Sequence, residues 1–375
     1  MQARLSAALC VTILMVAMSG CSGSSGGVGA HASDGPPRVT FESEGAKEKL
    51  GTDDGFQAAI FYGAELMGSI DDCGCPGHPQ GGLPWRLGYT EGFRDAYPDA
   101  GYLQVDAGHS MSNGLDMNGK LHADQYVKNE WVLNALGKFN FDAANISHND
   151  IYYLADFLKG GGVWEQAVAK YPMLARFVSA NLVPDLPTSG LVAPPPYVVR
   201  TMTGKRLSGG ALRVAFVGLT ENNPVLPMQT GFRVVPAEIA LEKVLPKARS
   251  ESDLVCVLFY GAPDAADALA KRFIGKVDVF IVAHPRAREK DPVLGGQYNI
   301  VYCKYQTRQL GELRMQFDGT TLTSATNRYV TLDEQLPKDP VAEAMAAEAK
   351  ESIRTAQEAR FNASNPPPAA PAGSN

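Results

Sequence analysis

Two cysteines one residue apart, in Asp72-Cys73-Gly74-Cys75, are the densest chemical signal in the chain. The thiolate is the reactive form of cysteine, and its pKa falls beside a helix N-terminus or a cation. The loop 73–82 runs into an expected helix near Pro84 with Arg86 in its first turn. Backbone donors and positive charge there favour Cys75 as the thiolate. A disulfide closed across one glycine is a small strained ring, more easily reduced than a structural bridge, and Gly74 supplies the backbone freedom it needs. Such a pair can cycle between dithiol and disulfide, pin its loop as a static bridge, or bind a metal ion together with His78. Thiol redox chemistry is the reading that the spacing favours, with Cys73 and Cys75 as the catalytic residues. Cys256 and Cys303 fall in apolar strand patterns, where a free cysteine acts as a small hydrophobe. Cys303 ends its strand and is a candidate third thiol facing the same pocket. Asp71 and Asp72 read as a candidate acid pair or as a solvated loop.

The N-terminus sets the compartment. Arg4 is the only charge before Cys21, an apolar run extends from Leu5 to Met18, and small residues lead into Cys21. These are the features of a secretory signal. The run is shorter than the ~20 apolar residues that a spanning helix needs. Met18-Ser19-Gly20-Cys21 resembles a bacterial lipobox, with methionine where leucine is more usual, which implies cleavage before Cys21 and lipid on its sulfur. The Ser/Gly run after it reads as a flexible tether. The chain is therefore expected to be anchored to the bilayer outside the cytoplasm. Ser22 gives no inner-membrane retention signal, so the outer membrane is favoured. That compartment permits disulfides.

With 45% hydrophobic and 20% charged residues the chain reads as ordinary globular material. Loss of Arg4 with the signal takes the net charge from −6 to −7, and no basic stripe marks a nucleic-acid partner. The organisation expected is a signal peptide at 1–20, anchor and linker at 21–38, one domain at 39–336, a C-terminal helix at 337–361 packed back through Val341, Met345, Ala349 and Ile353, and a disordered Pro/Ala tail at 362–375. Inside the domain, short apolar runs alternate with helical patterns. Strands are predicted at 56–62, 102–106, 142–146, 177–180, 212–218, 254–260, 277–283, 298–303 and 310–317. Helices are predicted at 84–97, 124–138, 151–158, 236–250 and 264–273. Alternation of this kind makes a layered α/β domain with ligands at the C-terminal ends of its strands.

The order of these segments, with Cys73-Gly74-Cys75, Gly81-Gly82-Leu83, Val105-Asp106-Ala107-Gly108, Ser179-Ala180-Asn181-Leu182 and 213–220, resembles the 5′-nucleotidase-like (UshA-like) metallophosphatases. The likeness covers about 56–317, and the cysteine loop is similar to a branch in which one cysteine is sometimes selenocysteine. The resemblance implies a calcineurin-type α/β/β/α sandwich. It also implies two metals held at successive strand ends, but most of that ligand set has changed. Asp-x-His becomes Glu65-Leu66-Met67, the bridging aspartate becomes His109, and Gly-Asn-His-Glu/Asp becomes 147–150. A later histidine becomes Tyr260, and Gly-His-x-His becomes 283–286, with Arg286 bringing positive charge to a cation's place. An imidazole cannot bridge two ions as a carboxylate does, so a working phosphatase is not expected. Glu65, His109, His148 and His284 converge in such a fold and could hold a single zinc, manganese or copper ion; alternatively they are hydrogen-bonded remnants of a lost site. The function expected is an exported lipoprotein whose Cys73/Cys75 loop exchanges electrons with an exported redox partner. The competing readings are a divergent metal-dependent phosphoesterase and a metal- or anion-binding lipoprotein.

Overall fold

Runs that are apolar at every position become strands buried on both faces. In the computed structural model, which describes residues 41–364, β1 (Ala58–Gly63) and β9 (Leu254–Tyr260) are buried along their whole length. Such strands belong inside a parallel sheet covered on both sides. The first sheet runs β13 (Thr321–Thr331), β12 (Gln309–Asp318), β1, β2 (Gly101–Asp106), β3 (Ala143–Asn145), β4 (Phe177–Val178). β1 to β4 are parallel, β12 pairs antiparallel with β1, and β13 pairs antiparallel with β12. The second sheet runs β11 (Ile300–Tyr302), β10 (Val279–Ala283), β9, β7 (Ala211–Thr220), β6 (Tyr197–Thr203), with only β6 antiparallel. A small pair, β5 (Leu182–Pro184) and β8 (Phe232–Val234), lies outside both sheets.

Alternation within each strand divides the core. Ile60, Tyr62, Val105, Phe216, Leu258, Ile281 and Val301 fill the space between the sheets. The opposite face of the first sheet packs on α1 (Glu44–Leu50), α2 (Leu83–Ala96) and α3 (Ala123–Lys138). The opposite face of the second packs on α7 (Ala237–Glu251) and α8 (Pro263–Arg272). Shorter helices α4 (Ile151–Leu154), α5 (Val163–Lys170) and α6 (Leu226–Thr230) fill the connections. The result is the helix–sheet–sheet–helix sandwich expected from the sequence. The C-terminal helix α9 (Pro340–Ser364) starts at Asp339, whose carboxylate accepts from the Ala342 N–H, and lies along α2 and α3. Its buried face is Ala342, Met345, Ala346 and Ala349, whereas Val341 is exposed. It runs to 364, three residues into the expected tail. The signal segment, Cys21, the whole linker and 365–375 lie outside the described residues. Among the described residues no helix is long and apolar enough to cross a membrane.

Candidate functional site

Glu65, His109, His148 and His284 follow β1, β2, β3 and β10, so the parallel strands deliver all four to one edge of the sandwich. The backbone that carries them is held tightly. Asp150, fully buried, accepts from the N–H groups of His109 (2.8 Å), Ser147 (2.8 Å) and Met111 (2.7 Å) and from the Ser147 hydroxyl (2.5 Å). Asp106 accepts from the Gly108 N–H (2.9 Å) and the Ser110 hydroxyl (2.6 Å). Gly108 turns the chain at φ 114°, a conformation costly to any residue with a Cβ. Six of the described non-glycine residues have positive φ, and five of them (Glu65, Met67, His109, Gln306, Thr307) surround this edge. Each costs about 1–3 kcal/mol, and such strain concentrates at functional sites.

The side chains do not form a metal centre. Arg288 donates Nε and Nη2 to the two Glu65 oxygens at 2.9 Å each, and Glu65 is only 2% exposed. The Tyr260 ring lies 5.7, 5.5 and 6.2 Å from the rings of His109, His148 and His284. Its hydroxyl shares a hydrogen bond with His109 Nδ1 (3.2 Å). His148 Nδ1 meets the Thr220 hydroxyl at 3.3 Å. His284 Nδ1 accepts from the Arg286 N–H, which leaves the ring proton on Nε2, 3.2 Å from Glu221. Burial pushes His109 down to about 4 and lowers His148, so both imidazoles are neutral near pH 7. Glu65 is thus committed to a guanidinium, and His284 has both ring nitrogens engaged. Of these four side chains only His109 and His148 keep an Nε2 without a protein partner among the described residues, fewer than the three protein ligands of a catalytic zinc. Among those same residues no group of three or more His, Cys, Asp or Glu is placed to hold a metal ion. The residues therefore do not fit the single zinc, manganese or copper ion considered from sequence, and Cys73, Cys75 and His78 do not fit one either.

Arg286 does not bring charge to the pocket as expected. It faces outward beside Asp264 (3.9 Å), and the cation in the pocket is Arg288. A three-residue 3₁₀ turn, Pro285–Ala287, separates them, and residues two apart on such a turn point in different directions. The arginine at every second position after His284 is the signal that marks Arg288.

The cysteine loop lies before α2, and both thiols are free and half-buried. Asp72 shapes the loop by accepting from the Gly74 N–H (2.8 Å), and the Cys73 N–H donates to the Gln80 carbonyl (3.0 Å). Gly82 (φ 85°) brings the chain against Asp71, where a Cβ would meet backbone at 2.8 Å. Burial works against the charged form of Cys73. The Cys75 thiol, the N–H groups of Gln80 and Cys75, and the charge of Arg308 outweigh it, so the Cys73 pKa falls below its ordinary value. Cys75 moves up through its interaction with Cys73, whose carbonyl lies 3.9 Å from the Cys75 Sγ. This reverses the order expected from sequence. Arg86 also takes no part: it is fully buried and donates to the Val105 carbonyl (3.1 Å). The cation beside the pair is Arg308, with Nη2 at 3.8 Å from Cys75 Sγ. It stands 233 residues away in the chain, so no local signal announces it. Cys303 is buried with its pKa raised by burial, which removes it as a third reactive thiol, and Cys256 is core.

No protein-family model matches the chain, and no curated protein matches its sequence. Solved structures do match its fold. The Thermus thermophilus sulfate thiohydrolase SoxB, in complex with glycerol, has a TM-score of 0.60 at 17% identity, over 81% of this chain and 61% of that one. A 5′-nucleotidase precursor from Thermus thermophilus has 0.57 at 16%, over 80% and 59%. The calcineurin-like phosphoesterase YfkN of Bacillus subtilis has 0.59 at 15%, over 80% and 99%. The chain thus spans about 60% of the length of the first two. At these identities the shared property is the fold, a distant 5′-nucleotidase and metallophosphatase-like sandwich.

Proposed function

We propose that this chain is an exported, lipid-anchored thiol–disulfide oxidoreductase on a metallophosphatase-like scaffold. The observation that carries the reading is a pair of free thiols one residue apart beside Arg308, whose Nη2 donates to Cys75 Sγ at 3.8 Å, with the Cys73 pKa lowered by its neighbouring donors. A thiol that accepts such donors reaches its anion more easily, and the neighbour supplies a resolving sulfur. In this reading the Cys73 thiolate attacks one sulfur of a substrate disulfide, forms a mixed disulfide and expels the first thiolate. Cys75 loses its proton, attacks the Cys73 sulfur and releases the second. The Cys73–Cys75 disulfide closes, and two electrons have passed to the substrate. An exported dithiol partner returns the pair to the reduced state by the same exchange in reverse.

The test is titration of the full chain in glutathione buffers, with mass spectrometry of the peptide that carries both cysteines. A potential above the roughly −300 mV and lower typical of structural disulfides is expected. A pair that stays oxidised through strongly reducing buffers, or never closes in oxidising ones, overturns the reading.

The anchor belongs to the same proposal and rests on Met18–Cys21 and the Ser/Gly tether. Cys21→Ala should move the protein from the membrane fraction to the soluble fraction, read by immunoblot. Unchanged partitioning would remove the anchor from the proposal.

A further inference from the structure

Beside the cysteine loop lies a cleft of about 340 Å³ whose walls include Arg288, Lys304, Arg308 and Gln80. Its single carboxylate is the exposed Glu289. Three cations against one acid stand out in a chain of net charge −6. Arg288 is committed to Glu65. The other two cations have no carboxylate partner among the described residues. The Lys304 ammonium donates to the carbonyls of Arg288 (2.7 Å) and Lys290 (3.3 Å). Arg308 reaches the Gln306 side chain (3.4 Å) and Cys75, and its Nε is buried without a partner. Tyr305 holds the walls in place: the Arg288 guanidinium lies 4.0 Å and that of Arg308 5.1 Å from its ring centroid. The strained pair Gln306 and Thr307 sets the direction of this segment, and Thr307 is tied to the Ala64 carbonyl (3.0 Å).

Two walls of the cleft are also the contacts of the cysteines. Arg308 donates to Cys75 Sγ at 3.8 Å, and the Gln80 carbonyl accepts from the Cys73 N–H at 3.0 Å. A molecule with an anionic group in the cleft therefore has its next atoms at the cysteine pair. An unpaired guanidinium and an unpaired ammonium match a carboxylate or sulfonate, the guanidinium through its planar donor fork.

We propose that this cleft is an anion subsite, and that the substrate is a small disulfide carrying a carboxylate or sulfonate near its sulfurs. The inference rests on the thiol–disulfide reading and names its substrate class. The cleft orients the anion, while Cys73 and Cys75 together supply the two electrons that turn the disulfide into two thiols.

The test uses the reduced full chain with two aromatic disulfides, dianionic dithiobis(nitrobenzoate) and neutral dithiodipyridine. The rate ratio of anionic to neutral reagent should exceed that of mercaptoethanol by ~10-fold or more, the gain expected of a charged cleft. In Lys304→Gln/Arg308→Gln it should fall to the mercaptoethanol value, and Lys304→Gln alone should lower it part of the way. A ratio unchanged in the double variant overturns the proposal. So do equal losses with both reagents, which would mean that Arg308 acts only on the thiols. A second measurement separates the two readings. The inert dianion sulfobenzoate is titrated calorimetrically into Cys73→Ser/Cys75→Ser, with and without Lys304→Gln. Binding at least ~10-fold weaker with Lys304→Gln supports the subsite even if the glutathione titration fails. No binding overturns the subsite even if that titration succeeds.

Discussion

The Cys73 pKa is lowered and that of Cys75 is raised, so the two sulfurs should react in order. Cys73 is expected to be alkylated first by iodoacetamide near neutral pH, and Cys75→Ser should trap mixed disulfides on Cys73. Faster labelling of Cys75, read by peptide mass spectrometry, would reverse the assignment. The pair itself was legible from spacing alone. Its order was not, because the deciding groups are a backbone N–H at Gln80 and a guanidinium from the far end of the chain. His109 carries a pH signature of its own. Its pKa is depressed to about 4 in the fold, so its contribution to stability is present above its unfolded value, near 6.5, and is lost as pH falls towards 4. The full loss is on the order of 3 kcal/mol. The variant His109→Asn tolerates the positive φ and lacks this proton. The difference in unfolding free energy between wild type and variant should shrink across that window, and a difference flat from pH 7 to pH 4 would contradict it.

Elements whose residues are apolar on both faces could be read from the sequence almost to the residue: β9 spans the predicted run, and α3 begins one residue early. The missed strands are short or polar. β13, with Thr321, Thr323, Thr326 and Asn327, sits at a sheet edge where only one side needs a partner, and of its residues only Val330 is buried. β6 occupies the edge of the other sheet. Position-by-position transfer of a ligand set found the four strand-end residues but not what they meet, since Arg288 belongs to a turn after β10 and Glu65 to the loop after β1. That ion pair ties the two sheets at the site edge. Arg288→Met should leave a buried carboxylate unpaired and cost about 3–5 kcal/mol, and Glu65→Gln in the same chain should recover most of it. Chemical denaturation of the wild type and the two variants checks this. A single-variant cost below about 1 kcal/mol would show that the tie contributes little.

The whole molecule shares its fold with 5′-nucleotidases and a calcineurin-like phosphoesterase. Hydrolysis by such a fold needs ions that activate water and stabilise charge, and Glu65, His109, His148 and His284 are engaged in ways that do not fit them. We therefore predict no measurable release of phosphate from nucleotides or simple phosphate esters, with manganese, cobalt or zinc added. Turnover near ~1 per second that disappears in His284→Ala would refute this. The guanidinium of Arg288 stands against the carboxylate of Glu65 where related scaffolds are expected to hold an ion. A cation written into the polypeptide arrives with translation. It needs no loading step, faces no competition from abundant divalent ions, and cannot be drawn out by a scavenger of metals.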